Sequence, residues 1–350
     1  MNRAGETHPP ETTNLCGESS RRLLVVVPEF SAGVRIAYDL PFRLLERGKF
    51  IWRVTPEYYL KYEDLAGINL LILYRCLQGS TLSLVRLARA NRIKVLYELD
   101  DDLLEPPEDE SWGRRYRQGQ VARIIGSFLT EADFVKAGSP ELAHRLTERG
   151  YPAVYQPYTA KVCEPSARGG AGRPYRVGYF GSPHHRRDIE AIFPALREIK
   201  EGFHEEVMFE FYGCFPEDWR SLKAETIPYE PDYELFLDAL AGRSWDLGLA
   251  PLRRTSFNMA KSDGKFRDYT AAGILGVYSD LAPYRSEVID GQNGWLAGDS
   301  PENWYEKIKE ALASTDRFQM FIRARELFQE KHSPALVAAN WYALIEKLAS

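Results

Sequence analysis

The stretch VGYFGSPHHRRDIEAI, residues 177–192, decides how this chain is read. An apolar run of strand length stops at Gly181, Ser182 and Pro183, passes two histidines and two arginines, and resumes at helical spacing. A glycine–serine turn between strand and helix lets the backbone approach a ligand closely and aims the first-turn amides of the helix at it. Arg186 and Arg187 add fixed cations beside those amides, a combination suited to a phosphate or diphosphate. The plainer reading stays open: the two arginines pair with Asp188 and Glu190 on a solvated helix face. His184 and His185 stand apart from other ligand-type residues, so no metal site is expected here.

Outward from this turn, strands and helices alternate in both directions. Upstream, RRLLVVVPEF, INLLILYR, KVLYELDDDL, ADFVKAGS and PAVYQPY read as strands. Between them lie a helix from Ser31 to Gly48, a helix STLSLVRLARANRI capped by Ser80 or Thr81, and PELAHRLTERG. Downstream, the expected order is helix RDIEAIFPALREIKEGF, strand VMFEFYG, helix PDYELFLDALAG, strand WDLGLAPL, helix KFRDYTAAG and strand LGVYSD. A helix capped by Ser300 follows, and two more are broken near Pro334. Such alternation means an α/β chain with parallel sheets covered on both faces, here two doubly wound, Rossmann-like modules. Residues 163–176, rich in Gly, Pro and Ser, read as the linker between a first domain over 21–162 and a second over 177–334. Ligands of such sheets sit at the carboxyl ends of strands, which singles out the turns at Gly33, Asp100, Gly181 and Leu252.

The bulk numbers narrow the function. A chain of 350 residues with 44% hydrophobic and 27% charged residues suits two globular domains. Its net charge of −5 gives no global attraction to nucleic acid, so an anion site must be local. Four cysteines without a C-x-x-C pair argue against a zinc or disulfide framework and fit a reducing compartment. Residues 1–20 are polar, lack a signal-peptide core and read as a disordered leader. No apolar run approaches the roughly 20 residues of a membrane span. A cytoplasmic protein is expected.

A second stretch, WDLGLAPLRRTSFNMAKSDGKFRDYTAAGILGVYSD, places Lys261, Lys265 and Asp268 where a polar loop feeds a helix start. With GYFGSPHHRRDIE and VIDGQNGWL, it resembles the donor half of GT-B glycosyltransferases, nearest to family 4, over residues 177–296. SAGVR and LYELDDDL extend the resemblance weakly into the first half. The resemblance implies a nucleotide-sugar donor on the second domain and an acceptor on the first. It further implies retaining, metal-free transfer in the cleft, and residues 335–350 crossing back onto the first domain. Carried over, Gly181, Ser182 and His185 lie beside the donor, and Arg186 or Arg187 is the basic partner of its diphosphate. Asp268 matches the second acid of the family's E-x7-E motif, which binds ribose, with Lys261 and Lys265 as further phosphate contacts. Gly33 and Arg35 fall on the acceptor side. Two departures stand out: Ala260 occupies the place of the motif's first acid, and Leu-Asp-Asp-Asp replaces a strand end that often carries His-Asp.

Asp100, Asp101 and Asp102 admit three readings. Asp100 and Asp101 could act on the acceptor hydroxyl with Asp102 on the acceptor side; the run could be a turn or cap; or Asp100 and Asp102 could hold a divalent ion, as Asp-x-Asp does in the GT-A class. The basic stretch WGRRYRQGQVARIIGSFL is either a solvated helix face or a surface for anionic lipid headgroups or a lipid-diphosphate acceptor. The combined expectation is a transferase moving a sugar from a nucleotide donor to a glycan, lipid-linked or protein acceptor. Contact is expected with no nucleic acid, and with a membrane only peripherally. The rival readings are a non-catalytic, donor-binding partner subunit, motivated by Ala260, and a GT-B-like sugar-nucleotide epimerase.

Overall fold

The computed structural model describes residues 20–45, 49–108, 110, 112–163 and 172–349. The expected leader, apart from Ser20, and residues 164–171 of the expected linker lie outside them, as does Gly48.

Twelve strands form two six-stranded parallel sheets. The first contains β1 (Arg21–Val27), β2 (Phe50–Pro56), β3 (Leu70–Tyr74), β4 (Lys94–Leu99), β5 (Phe134–Ala137) and β6 (Ala153–Tyr155), in the order β2-β1-β3-β4-β5-β6. The second contains β7 (Tyr175–Phe180), β8 (Val207–Tyr212), β9 (Glu225–Ile227), β10 (Leu247–Ala250), β11 (Gly276–Ser279) and β12 (Trp295–Ala297), in the order β12-β11-β10-β7-β8-β9. Strand order reverses between β1 and β3 in one sheet and between β7 and β10 in the other. Both reversals open a crevice at the carboxyl ends, and the two crevices face each other.

The central strands read as continuous apolar runs because both faces are covered. Along β1, Leu23, Val25 and Val27 pack into one core and Leu24 and Val26 into another on the opposite face. The helix Pro334–Ala349 lies on the first of these faces, where Trp341 stacks edge-on against Phe42 and donates from Nε1 to the Ala37 carbonyl at 3.1 Å. A separate core fills the second sheet.

Several elements differ from the sequence expectation. β2 and β9 were not expected: both are edge strands, and β2 alternates buried and open positions instead of forming an apolar run. The helix expected from residue 187 to 203 is two, Arg186–Ala191 and Phe193–Phe203, broken at Ile192 because Pro194 has no amide to donate back to the preceding turn and fits only in the first turn of a helix. The first helix is broken into Ala32–Val34, a π turn Arg35–Asp39 and Leu40–Phe42, which accommodates Pro41. The helix Gly79–Ala90 starts ahead of Ser80, with Gln78 at its cap. No helix among the described residues is long and apolar enough to cross a membrane.

Candidate functional site

The two facing crevices enclose a cavity of about 220 Å³. Gly33, Tyr74, Asp100, Asp101 and Tyr158 line it from the first half; Phe180, His185, Leu252, Lys261, Lys265, Asp268 and Tyr284 line it from the second. Gly33 is required where it stands, since a Cβ there would collide with the Tyr74 hydroxyl.

The cavity's charges are arranged unevenly. Asp100 accepts from the Tyr74 hydroxyl at 2.6 Å and pairs with Arg75 at 3.2 Å; burial holds its carboxyl above the ordinary value although Arg75 opposes this. Asp101 reaches across the cleft to Lys261 at 3.2 Å. Against its burial, the Lys261 and Arg75 cations hold it below the ordinary range. Asp268 accepts from Tyr233 at 2.8 Å, and burial raises its pKa. Lys265 is different. Its ammonium lies over the rings of Tyr179 and Phe180, 5.4 Å from each, and makes no hydrogen bond among the described residues. Burial depresses it to about 8, with Asp188 opposing and Lys261 reinforcing the shift. His185 is bonded through Nδ1 to Asp188 at 2.9 Å. Burial, then the neighbouring Lys265, push it down to about 4, so the ring is neutral near pH 7.

The other expected site residues lie elsewhere. Asp102 is fully buried, held by Arg149 at 3.0 Å and Arg145 at 3.5 Å, and does not line the cavity. The three aspartates therefore face different cations, Arg75, Lys261 and the pair Arg145 and Arg149, and Asp100 and Asp102 do not converge as an Asp-x-Asp metal pair would. Arg35 pairs with Asp39 and, across the cleft, with Glu234 at 3.1 Å, beside a second cavity lined by Phe30, Val54 and Asp232. Gly181 spends its amide on the Tyr212 carbonyl at 3.0 Å, and the His185 amide bonds Ser182. The free first-turn amides expected at this place are therefore not supplied by these two residues. Ser182 stands at the N-cap position of the short 3₁₀ turn Pro183–His185, with no side-chain cap bond. Arg186 and Arg187 are exposed at the rim, outside the cavity lining. Arg187 approaches Glu110 of the opposite half at 3.6 Å, not Asp188 or Glu190. Ala260 is buried against the first sheet's core, its carbonyl accepting from Ser139 at 2.6 Å. Within the basic stretch, Arg117 turns back onto the Pro107 and Glu108 carbonyls and Arg123 onto Gly119, which leaves Arg114 and Arg115 on the surface.

Sequence reasoning missed three contributors. Tyr74 is the last residue of an apolar strand, and strand-end position was the available signal. Asp188 is 5% exposed and accepts from His185, the Arg253 amide and Asn258, a convergence no local pattern reveals. Trp112 closes the cleft edge by packing on Phe257 and His184, with centroids 5.3 and 5.9 Å away.

Behind the cavity lies a second charged group. Asp263, Glu287 and His332 are buried, with His332 Nε2 2.9 Å from Asp263 and 3.5 Å from Glu287. Among the described residues they form the one cluster of metal-ligand type. Arg267 and Lys331 already accompany the two carboxylates, at 3.4 and 3.2 Å. Arg267 also approaches Asp268 at 3.7 Å, so with His332 protonated three carboxylates meet three cations, and a divalent ion would overshoot that balance. Desolvation disfavours the cation, but Asp263 and the hydrogen bonds raise His332 to about 9.

No protein-family model and no curated protein matches the sequence. Solved structures do match in fold. HepE of Anabaena, in complex with UDP and glucose, superposes with a TM-score of 0.67 at 12% identity, covering 94% of this chain and 100% of that one. Sucrose-phosphate synthase of Thermosynechococcus elongatus gives 0.67 at 12% identity, over 94% and 99% of the two chains. The pneumococcal O-GlcNAc transferase GtfA, with UDP and GlcNAc, gives 0.61 at 14%; the match covers 82% of this chain and 58% of that longer one. The chain has the GT-B fold of glycosyltransferases.

Proposed function

We propose that the protein is a glycosyltransferase of the family 4 kind, moving a sugar from a nucleoside-diphosphate donor to a hydroxyl of a glycan, lipid-linked or protein acceptor, with retention and without a metal. The carrying observation is Lys265: a buried ammonium with no hydrogen-bonding partner among the described residues, in a cavity between the carboxyl ends of two parallel sheets. Leaving an ammonium so placed is costly, and an anion from outside the chain is what offsets it. In the proposed step the bond from the sugar's anomeric carbon to the diphosphate breaks, and its electron pair stays on the phosphate oxygen. The acceptor oxygen bonds the same carbon on the same face and its proton passes to the departing diphosphate. Lys265 and Lys261 stabilise the charge that gathers there. Asp268 is assigned to the ribose hydroxyls, and Asp100 and Asp101 to the acceptor hydroxyl. The UDP and sugar in HepE and GtfA support the donor class.

Burial of Ala260 away from the cavity favours one second reading, a partner subunit that binds donor without turning it over. Donor hydrolysis and transfer, assayed with UDP-, GDP-, ADP- and dTDP-sugars in excess EDTA, separate the two. Full turnover in chelator is expected. Loss of turnover on chelation, restored by manganese or magnesium, overturns the metal-free reading, and tight binding without turnover supports the partner reading.

A further inference from the structure

We propose that His185 is the residue that reads the donor's sugar, its Nε2 lone pair accepting a hydrogen bond from a sugar hydroxyl, with Asp188 as the positioning residue that fixes the ring. The proposal rests on the nucleotide-sugar reading above and deepens it.

The argument starts at Asp188. Its Oδ1 is taken by the Arg253 amide at 3.0 Å and by Asn258 Nδ2 at 3.2 Å, and its Oδ2 faces His185 Nδ1 at 2.9 Å. An ionised carboxylate only accepts, so Nδ1 must carry the proton. Burial and the nearby Lys265 keep the ring neutral. Nε2 then holds a lone pair, fixed in direction by the Nδ1 bond. His185 lines the cavity, and no hydrogen bond engages Nε2 among the described residues. The carboxylates on the cavity wall each have a donor or cation beside them, Tyr74 and Arg75 at Asp100, Lys261 at Asp101 and Tyr233 at Asp268, and their remaining lone pairs are the ones assigned above to the ribose and acceptor hydroxyls. Phosphate oxygens of the bound nucleotide also only accept, and cannot bond a lone pair. A sugar hydroxyl can donate to it. The geometry therefore divides the work: Lys265 and Lys261 for the diphosphate, His185 for the sugar attached to it.

The test compares sugar-free with sugar-bearing nucleotides. Wild type, His185→Ala, His185→Gln and Asp188→Asn are titrated with UDP and UDP-glucose, and with GDP and GDP-mannose. In Asp188→Asn the side-chain amide can donate to Nδ1 and so move the ring proton to Nε2, turning the acceptor into a donor. The expected result is unchanged affinity for the free diphosphate in the two His185 variants; Asp188→Asn, which also removes a carboxylate near Lys265, is read as the ratio of nucleotide-sugar to diphosphate affinity. Affinity for the matching nucleotide sugar falls on the order of tenfold in His185→Ala, as does that ratio in Asp188→Asn, and His185→Gln, which keeps an acceptor oxygen, recovers most of it. Parallel changes for the diphosphate and its sugar across the His185 variants overturn the assignment and place His185 on the phosphate instead. A wild type that binds none of these four, nor the ADP and dTDP counterparts, overturns the nucleotide-sugar reading and this assignment together.

Discussion

His185 and His332 are both enclosed by protein, both bonded through Nδ1, and both close to carboxylates, yet they are driven in opposite directions. His332 sits between Asp263 and Glu287 and is raised to about 9. His185 has one carboxylate, whose other oxygen is taken, and shares its surroundings with Lys265; it is lowered to about 4. The difference is one of completeness. Around His332 every charge has its complement, and the cluster joins three places: the helix start at Asp263, the segment at Glu287 and the Tyr158 carbonyl, which meets His332 Nδ1 at 3.0 Å. Around His185, Lys265 is left without a hydrogen-bonding partner among the described residues. A complete buried cluster holds the fold together, and an incomplete one waits for a ligand.

Substitutions should therefore change sign between the two regions. His332→Ala strips the cation from two buried carboxylates and is expected to cost about 3–5 kcal/mol of stability, read by urea denaturation. The pH dependence follows from the raised pKa. The stabilisation is fully present below the unfolded value of 6.5 and is lost as pH rises through about 9. Wild-type stability should fall across that window, and the fall should be absent in His332→Ala.

Lys265→Met should do the reverse. Removing an ammonium without a partner leaves stability unchanged or higher, while nucleoside-diphosphate affinity drops about ten- to a hundredfold for a lost charge-assisted bond. A Lys265→Met protein that is both strongly destabilised and still able to bind would erase the contrast.

The same lysine gives a smaller, graded effect. Its ammonium is present below about 8 and lost above it, so diphosphate affinity should weaken as pH rises through that value. Binding should also take up protons near it, visible as a buffer-dependent heat. Replacing both Arg186 and Arg187 by Ala should matter least, each exposed charge contributing less than about 1 kcal/mol to donor affinity.

How much of this was legible follows from where each residue's partners lie. The two sheets could be read from the chain because central parallel strands are apolar on both faces, and β1, β3 and β7 announce themselves. β2 and β9 did not, because edge strands need no such run. Lys261, Lys265 and Asp268 were placed by their position at a helix start, and Gly33 and Asp100 by the rule that ligands meet strand ends. Asp102 and Arg35 obey the same local pattern but are claimed by Arg145, Arg149, Asp39 and Glu234. Asp39 is only four residues from Arg35, but Arg145, Arg149 and Glu234 come from distant segments or the opposite half, which no local spacing encodes. Asp188 was read only as a surface partner for arginine, since its three donors converge from residues 185, 253 and 258.

The central claim is that the cavity between the sheets takes a nucleoside diphosphate through Lys265. Calorimetric titration of UDP, GDP, ADP and dTDP into wild type and Lys265→Met, in EDTA at pH 7 and pH 9.5, tests it most directly. The account predicts metal-free binding of at least one nucleotide by wild type at pH 7, weakened at pH 9.5, and a Lys265→Met affinity that is weaker than wild type at pH 7 and approaches it at pH 9.5. Equal affinity in wild type and Lys265→Met at pH 7, or binding that needs an added divalent ion, would contradict it.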